Sequence, residues 1–466
     1  MPNPLAFLML AIWPIVTVVM FKRLGPERGV IWTLLAAYLI LPELPAQYDF
    51  PLLPPLTKHT IPSLATFTCA LLMFGYRGSI LPHSHVGKLL LATFILSPMF
   101  TVMNNGEPVV FGEVGLPGLR TMDAVALVLT QAIMILPFLL ARSFLNSGKT
   151  QRELMVAFMF AGLAYSIPML IEVRLSPQLN QWIYGFYQHY FNQSVRFGGY
   201  RPVVFLYHGL WVAFFCMTAL VCAVGLLRED RQRSKLFYFG CVVWLAGVLF
   251  LSKSLGSYLF ALFLVPCVFF LGRVTQIKVA ILLGLIATTY PVLKGFDLVP
   301  QQEMLEAAAA IDPDRAASLE FRFTNENTLL ERAYEKPVFG WGSWGRNHIL
   351  DPVNGNILTV TDGRWIIVIG VWGWVGFLAE FGLLLLPLIL LWREAVAPRE
   401  GEISPFIAPL SLLLGINMID MVPNATITTL TWLLAGALTG YAEVLRAERL
   451  KEKRRSWVGL RWRPIL

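Results

Sequence analysis

Apolar runs of roughly 16 to 25 residues recur along the whole chain, and they restrict its fold more than any other feature. A helix of about 20 apolar residues crosses the hydrocarbon core of a bilayer, whereas a soluble domain has no core large enough to hide such a run many times over. The ten-residue alternating segments of a porin-like barrel are absent. Only 14% of the 466 residues are charged, against 56% hydrophobic. The predicted fold class is therefore all-α: a polytopic transmembrane helical bundle of about 12–14 spans with a large, partly helical periplasmic loop.

Thirteen candidate spans fall at roughly 4–21, 29–46, 60–76, 89–103, 121–141, 153–171, 202–227, 236–251, 256–271, 279–295, 366–392, 404–421 and 426–445. The first has no basic stretch before it and no small-residue cleavage pattern after it, so it reads as a retained span. Basic connectors follow the odd-numbered spans: Lys22, Arg23 and Arg28; Arg77 and Lys88; Arg142, Lys149 and Arg152; Arg228 to Lys235; Arg273 and Lys278; Arg393 and Arg399; then Arg446, Lys451, Lys453, Arg454, Arg455, Arg461 and Arg463. The positive-inside rule makes these loops cytoplasmic, with the N-terminus outside and the C-terminus inside. The chain divides into N-terminal spans (1–171), central spans with an aromatic periplasmic loop (172–295), a large periplasmic loop (296–365), C-terminal spans (366–445) and a basic cytoplasmic tail (446–466).

The net charge of +8 is dispersed among connectors. It reads as an orientation signal toward an anionic bilayer, and no nucleic-acid partner is expected. All five cysteines lie inside apolar runs without a CxxC pair, so they read as small hydrophobes, and no metal site is expected. No Walker loop, HExxH, GxSxG or Rossmann fingerprint appears.

Two long loops lie on the opposite face. Residues 172–201 crowd Trp182, Tyr184, Phe186, Tyr187, Tyr190 and Phe191 between Ser176-Pro177, a candidate helix start, and RFGGYRP. An interfacial aromatic belt and a stacking platform for sugar rings are both compatible with that pattern. The larger loop holds a helix-forming stretch from Ala316 to Tyr334, ended by Pro337, then FGWGSWG. Arg322 and Arg332 are spaced to share a face. Arg196, Arg201, Lys253, Arg322, Arg346 and Arg364 all fall on this side, where cations suit an anionic, lipid-linked ligand.

Four pieces resemble the O-antigen ligase and O-antigen polymerase superfamily of bacterial envelope glycosyltransferases. RFGGYRPVVFLYHG (196–209) is similar to that family's Arg-x-x-Gly segment, and LSKSLGSYLFAL (251–262) to its span-ending Ser-Arg-Gly turn, with Lys253 where arginine is usual. SLEFRFTNENTLLERAYEKPVFGWGSWG (318–345) resembles its arginine helix followed by Pro-x-x-Gly-x-Gly, and IGVWGWVGFLAEFGLL its glycine-rich span. The resemblance covers roughly residues 190–390. It implies an inner-membrane enzyme acting on the periplasmic face. Such an enzyme transfers or polymerises glycan carried on undecaprenyl diphosphate, without metal or cofactor. An acceptor glycan would be its partner, with a chain-length regulator protein as a further candidate. The family's usual histidine position is occupied by Asp362, which favours a repeat-unit polymerase over a ligase that transfers to lipid A core.

On this reading Arg196, Arg201, Lys253, Arg322, Arg346 and Arg364 are the diphosphate ligands, since arginine forks match phosphate oxygens and offset charge on the leaving group. An ion pair with Glu320, Glu326 or another acid is the structural alternative for Arg322. Asp362 is the candidate base, an Asp-Gly turn or helix cap its alternative, and His348 a rival base. His208, inside an apolar stretch, reads as a packed, hydrogen-bonded residue. Trp182, Tyr187, Trp341 and Trp344 are the candidate glycan-stacking rings. A polysaccharide-linked transporter or flippase is the reading from another class; against it, the spans hold few ionisable residues, chiefly Asp123, Glu380 and Asp420, and no internal repeat is visible.

Overall fold

The computed structural model describes residues 1–50, 53–76, 78–196, 198–398 and 402–461; the side chains at 311, 314, 315 and 456–461 fall outside that description, as do Arg77, Arg399 and Arg463. About 70% of the chain is helical. The helices in order are α1 (Pro4–Ile40), α2 (Thr60–Phe74), α3 (His85–Met103), α4 (Thr121–Met134), α5 (Leu136–Phe144), α6 (Gly148–Leu175), α7 (Leu179–Tyr184), α8 (Gly209–Glu229), α9 (Lys235–Leu251), α10 (Leu255–Phe270), α11 (Arg273–Gly295), α12 (Gln301–Ile311), α13 (Pro313–Tyr334), α14 (Arg364–Val396), α15 (Ile407–Asp420) and α16 (Thr429–Arg461). Two small antiparallel hairpins complete the chain: β1 (Val109–Phe111) with β2 (Val114–Leu116), and β3 (Val195–Arg196) with β4 (Gly199–Tyr200). Among the described residues, seven helical segments, α4 and α5 taken together as one, are long and apolar enough to cross a membrane, and α2, α9, α10 and α15 are shorter apolar helices. The protein is an all-α, multi-pass membrane bundle.

The thirteen expected spans find helices, though two of those helices are not straight. As one rod, α1 would be about 55 Å long. Yet Asn3 at its start donates to the Tyr184 carbonyl, and the Tyr184 hydroxyl donates to Ile40 at its end. The chain reverses at Gly25, whose φ of 77° opens the tight turn that Pro26 then leaves. The first two spans thus form a hairpin, with Phe21 packed on Gly29. The span expected at 202–227 begins later, at Gly209. Residues 202–208 are non-helical, with 202–204 and Leu206 buried, and they are held by Glu172 of α6, whose carboxylate accepts the N–H groups of Leu179, Val203 and Val204. Ser176, expected to start a helix, instead ends α6 with φ 79°.

The basic connectors gather at one end of the bundle. Arg28 pairs with Glu153, Arg142 with Glu443, Arg152 with Asp230, and Arg273 with Glu229 and Glu402. Ser84, Ser147 and Ser234 cap α3, α6 and α9 there by accepting backbone N–H groups of the first turn. The loops 172–208, 296–363 and 421–428 lie toward the other end. Packing between spans uses small residues: α16 meets α5 where Gly436 and Gly440 bring its backbone against the Phe138 and Arg142 carbonyls.

The second bent helix, α14, shapes that other end. Its C-terminal arm runs antiparallel to α3, with Gly382 beside Leu90 and Leu386 near Gly87. Gly373, at φ 67°, interrupts the helix at the level of Val338 and Phe339, and the Phe339 carbonyl accepts from Thr101 near the end of α3. The interruption frees backbone groups that a membrane interior cannot solvate. Residues 337–342 supply their partners. Trp341 and Gly342 donate to the Gly370 and Val371 carbonyls, and Trp374 and Val375 donate back to Pro337 and Val338. Arg364 and Glu380 would stand about 24 Å apart on a straight helix, yet their side chains form a bidentate pair at 2.7 and 2.6 Å. The arm 364–372 therefore folds back along the start of the second arm. This places Arg364 and the neighbouring Asp362 about 10 Å inside the bundle, level with Glu380.

The hairpin α15–α16 is recessed in the same way. α15 lies beside α11, with Gly415 on Ala280 and Met418 near Gly284, while α11 continues to Gly295. Its tip, 421–428, thus stops short of the bundle end. Asp420 ties this tip together by accepting from Asn424 and Thr426, and Arg364 N–H donates to the Met421 and Asn424 carbonyls.

Candidate functional site

The recess formed by these two re-entrant elements collects four cations from three separate parts of the chain. The β3–β4 hairpin presents Arg196, and Arg201 follows it. Lys253 sits in the α9–α10 turn with φ 53°. Its ammonium donates to the Arg196 carbonyl, and the Arg201 guanidinium donates to the Lys253 carbonyl at 3.1 Å. These two bonds fix the hairpin against the turn. Arg322 comes from α13. It pairs with Asp362 at 3.4 Å and donates weakly to the Pro423 carbonyl at 3.4 Å.

His208, the N-cap of α8, lies within the field of this group. Its Nδ1 accepts the Leu210 N–H, and its Nε2 faces Gln193. Burial, together with the nearby charges of Arg201, Arg196 and Arg322, depresses its pKa to about 3. It is a neutral, hydrogen-bonded cap, in line with its expected packing role.

Arg201 carries the strongest electrostatic demand. It is 8% exposed, its Nε has no partner, and no carboxylate pairs with it among the described residues. Burial, with Arg196 nearby, lowers its pKa to about 10. A buried guanidinium without a counter-ion is costly, and an anion seated beside it removes that cost. Asp362 has the opposite surroundings. Burial pushes its carboxyl up from the ordinary value, against the opposing pull of Arg322. It is not the cap of α14, since Gly363 occupies that position without any side-chain cap bond. Among the described residues, the recess therefore gathers these cations around the Asp362 carboxylate.

Several expected site residues lie elsewhere. Arg364 is consumed by Glu380, which is 1% exposed, and acts as a strut of the re-entrant arm. Arg346 is buried and donates to the carbonyls of Trp341, Pro117 and Glu107, clamping the loop 104–120 onto the polar loop. Trp341 is buried with the Arg332 guanidinium 3.4 Å from its ring centre, and its indole N–H donates to the Arg332 carbonyl. That interior role removes both Trp341 and Arg332 from ligand reach, so Arg322 and Arg332 do not act together. His348 is held by Thr359 at 3.0 Å, and burial lowers its pKa; no contact joins it to Asp362. Tyr187 bonds Ser194 and packs on Phe191, half-buried. Trp182 and Trp344 are exposed, and no contact ties either to the cations.

Sequence reasoning missed the aromatic surroundings that the fold does bring to the recess. His189 packs against His208, Tyr207 and Tyr190, and Tyr207 against Trp211. Gln193 bridges the two histidines. Their separation across 189–211 gave no periodic signal, because 202–208 is not helical. Asp420 and Glu172 were visible as ionisable residues, but nothing in the sequence showed that they organise the tip and the 202–208 segment. The chain matches no protein-family model and no curated protein sequence.

Proposed function

We propose that this protein is a membrane glycosyltransferase acting on undecaprenyl-diphosphate-linked glycan, with repeat-unit polymerisation its reaction. The observation that carries the proposal is the buried Arg201, without a carboxylate partner among the described residues, grouped with Arg196, Lys253 and Arg322 around a recess containing Asp362. Clustered guanidinium and ammonium groups suit a diphosphate, whose charge grows as it leaves. In the reaction, the acceptor hydroxyl oxygen bonds to the anomeric carbon of the donor's first sugar. The bond from that carbon to the diphosphate breaks, the lipid diphosphate keeps the electron pair, and Asp362 takes the hydroxyl proton. The positive-inside rule assigns the basic end to the cytoplasm of a bacterial inner membrane, which makes the recess periplasmic and the C-terminus cytoplasmic. Transfer to lipid A core, the ligase reaction, uses the same donor chemistry.

A transport reading draws on a different observation, the interrupted α14 and the recessed 421–428 tip, since broken helices line many transporter sites. Gene deletion followed by surface-glycan analysis separates the three. Loss of long chains with single repeat units retained supports polymerisation. Long chains stranded on undecaprenyl diphosphate mark a ligase. Unchanged glycans with impaired solute uptake overturn both enzyme readings. Complementation with Arg201→Gln or Arg322→Ala is expected to restore membrane-inserted protein without restoring glycan.

A further inference from the structure

Arg201 is followed by a loop that stands where two turns of helix could be. The run PVVFLYH at 202–208 is apolar enough to open the next span, yet it is non-helical. Val204, fully buried, has φ 53°, a left-handed conformation that strains a β-branched residue. Such a conformation persists only where its surroundings fix it. Here side chains do so. Glu172 Oε2 accepts the Val203 and Val204 N–H groups at 2.8 and 2.7 Å. The Gln188 amide donates to the Val204 and Leu206 carbonyls, each at 2.9 Å. The Phe205 N–H donates to the Tyr165 hydroxyl, and the Phe205 carbonyl accepts from Lys58 at 2.8 Å. Side chains from α6, from the loop before α2 and from the loop after α7 thus satisfy backbone groups that a helix would pair internally.

The loop changes where Arg201 lies. On a continuous helix, Arg201 and Gly209 would stand about 12 Å apart along the axis. In the folded chain the Arg201 stem crosses directly over Gly209. A methyl group on Gly209 would lie 2.3 Å from Arg201 Cδ and 2.5 Å from its Cγ. Beyond that crossing, the guanidinium reaches the Lys253 carbonyl. The strained Val204, its side-chain supports and the bare Gly209 therefore serve one geometry, in which the guanidinium is brought back over the start of α8 and set against the α9–α10 turn.

We infer that the 202–208 loop is the support that positions Arg201 for its anion, with Glu172 and Gly209 as positioning residues. Glu172 holds the loop in its strained course, and Gly209 leaves the space that the Arg201 stem occupies. Both act through Arg201, and neither is a ligand of the diphosphate. The inference rests on the glycosyltransferase reading, which supplies the diphosphate, and adds how the site keeps its buried guanidinium in place.

The test uses purified full-length protein in detergent, with undecaprenyl diphosphate as the probe. Gly209 lies in the first turn of α8 and is not among the positive-φ glycines. Alanine suits a helix there, so Gly209→Ala is expected to stay folded while its methyl group displaces the Arg201 stem. Binding is expected to weaken about ten-fold or more, as in Arg201→Ala. The two losses are not expected to add. In the Arg201→Ala background no stem remains to be displaced, so Gly209→Ala should have no further effect. Glu172→Met removes the acceptor of the loop N–H groups and is expected to give the same pattern, with binding recovered in Glu172→Gln, which keeps one acceptor oxygen. Either cycle decides alone. Additive losses, or a single variant that binds as tightly as wild type, overturn the inference. Wild-type protein that does not bind the probe, or Arg201→Ala protein that binds it undiminished, overturns the glycosyltransferase reading and the role of Arg201 with it.

Discussion

Glu380→Gln tests the re-entrant geometry on which the recess depends. The Glu380 carboxylate is 1% exposed and receives both forks of Arg364, whose side chain is 15% exposed. Removing the negative charge leaves a guanidinium inside the bundle without its counter-ion, a loss of about 3–5 kcal/mol for a buried pair. The remaining exposure of Arg364 places the expected value near the lower bound, about 3 kcal/mol. Removing both charges together, in Arg364→Met/Glu380→Leu, leaves no stranded ion, and the double variant is expected to be more stable than Glu380→Gln alone. The coupling between the positions is therefore large, about 3 kcal/mol, where residues held on a straight helix and separated by about 24 Å would show none. Unfolding by SDS in mixed micelles, followed by tryptophan fluorescence, measures all members of the cycle. Strictly additive losses, or a Glu380→Gln cost below about 1 kcal/mol, would refute the folded-back arm and remove Asp362 from the recess.

Three further outcomes follow from the geometry. Gly373→Ala places a methyl group 2.3 Å from the Val338 carbonyl oxygen at a positive φ, whereas Gly25→Ala meets nothing within 4 Å; both carry the strain of a positive-φ, extended-ψ backbone, about 1–3 kcal/mol, so Gly373→Ala is expected to lower folded yield and thermal stability much further, and equal losses would contradict the packed interruption. Asp362 has a folded pKa raised above its ordinary value of 3.8, so its contribution to stability is present below that value and is lost as pH rises through the folded pKa; Asp362→Asn is expected to stabilise the protein at pH 7, with the gain shrinking toward pH 4, and destabilisation at pH 7 would show that the pair with Arg322 outweighs burial. Arg346→Met leaves the Pro117 and Glu107 carbonyls without their donor and is expected to expose residues 104–120 to limited proteolysis while leaving the bundle intact.

The positions of the spans were legible because bilayer thickness sets a long apolar run for every crossing. Basic connectors and serine caps likewise marked one end of the bundle, since both act within a few residues of sequence. Arg196, Arg201, Lys253 and Arg322 were legible as cations on a common side. Their convergence was not, because it depends on contacts between hairpin, turn and α13 that lie far apart in sequence. Arg346 and Arg364 show the limit of reading by residue type. An arginine that binds an anion and one that braces a fold look the same until the acid or carbonyl partners are placed.

What the sequence by itself determined is the membrane class, the number of apolar segments and the polarity of the two ends, all consequences of local hydropathy and charge. What only the tertiary structure decided is how deep the chemistry lies. Gly373 and the short α15–α16 hairpin reverse the chain inside the bundle. The backbone groups exposed by those reversals must find partners in distant segments, and it is that requirement which carries Asp362 to Arg322.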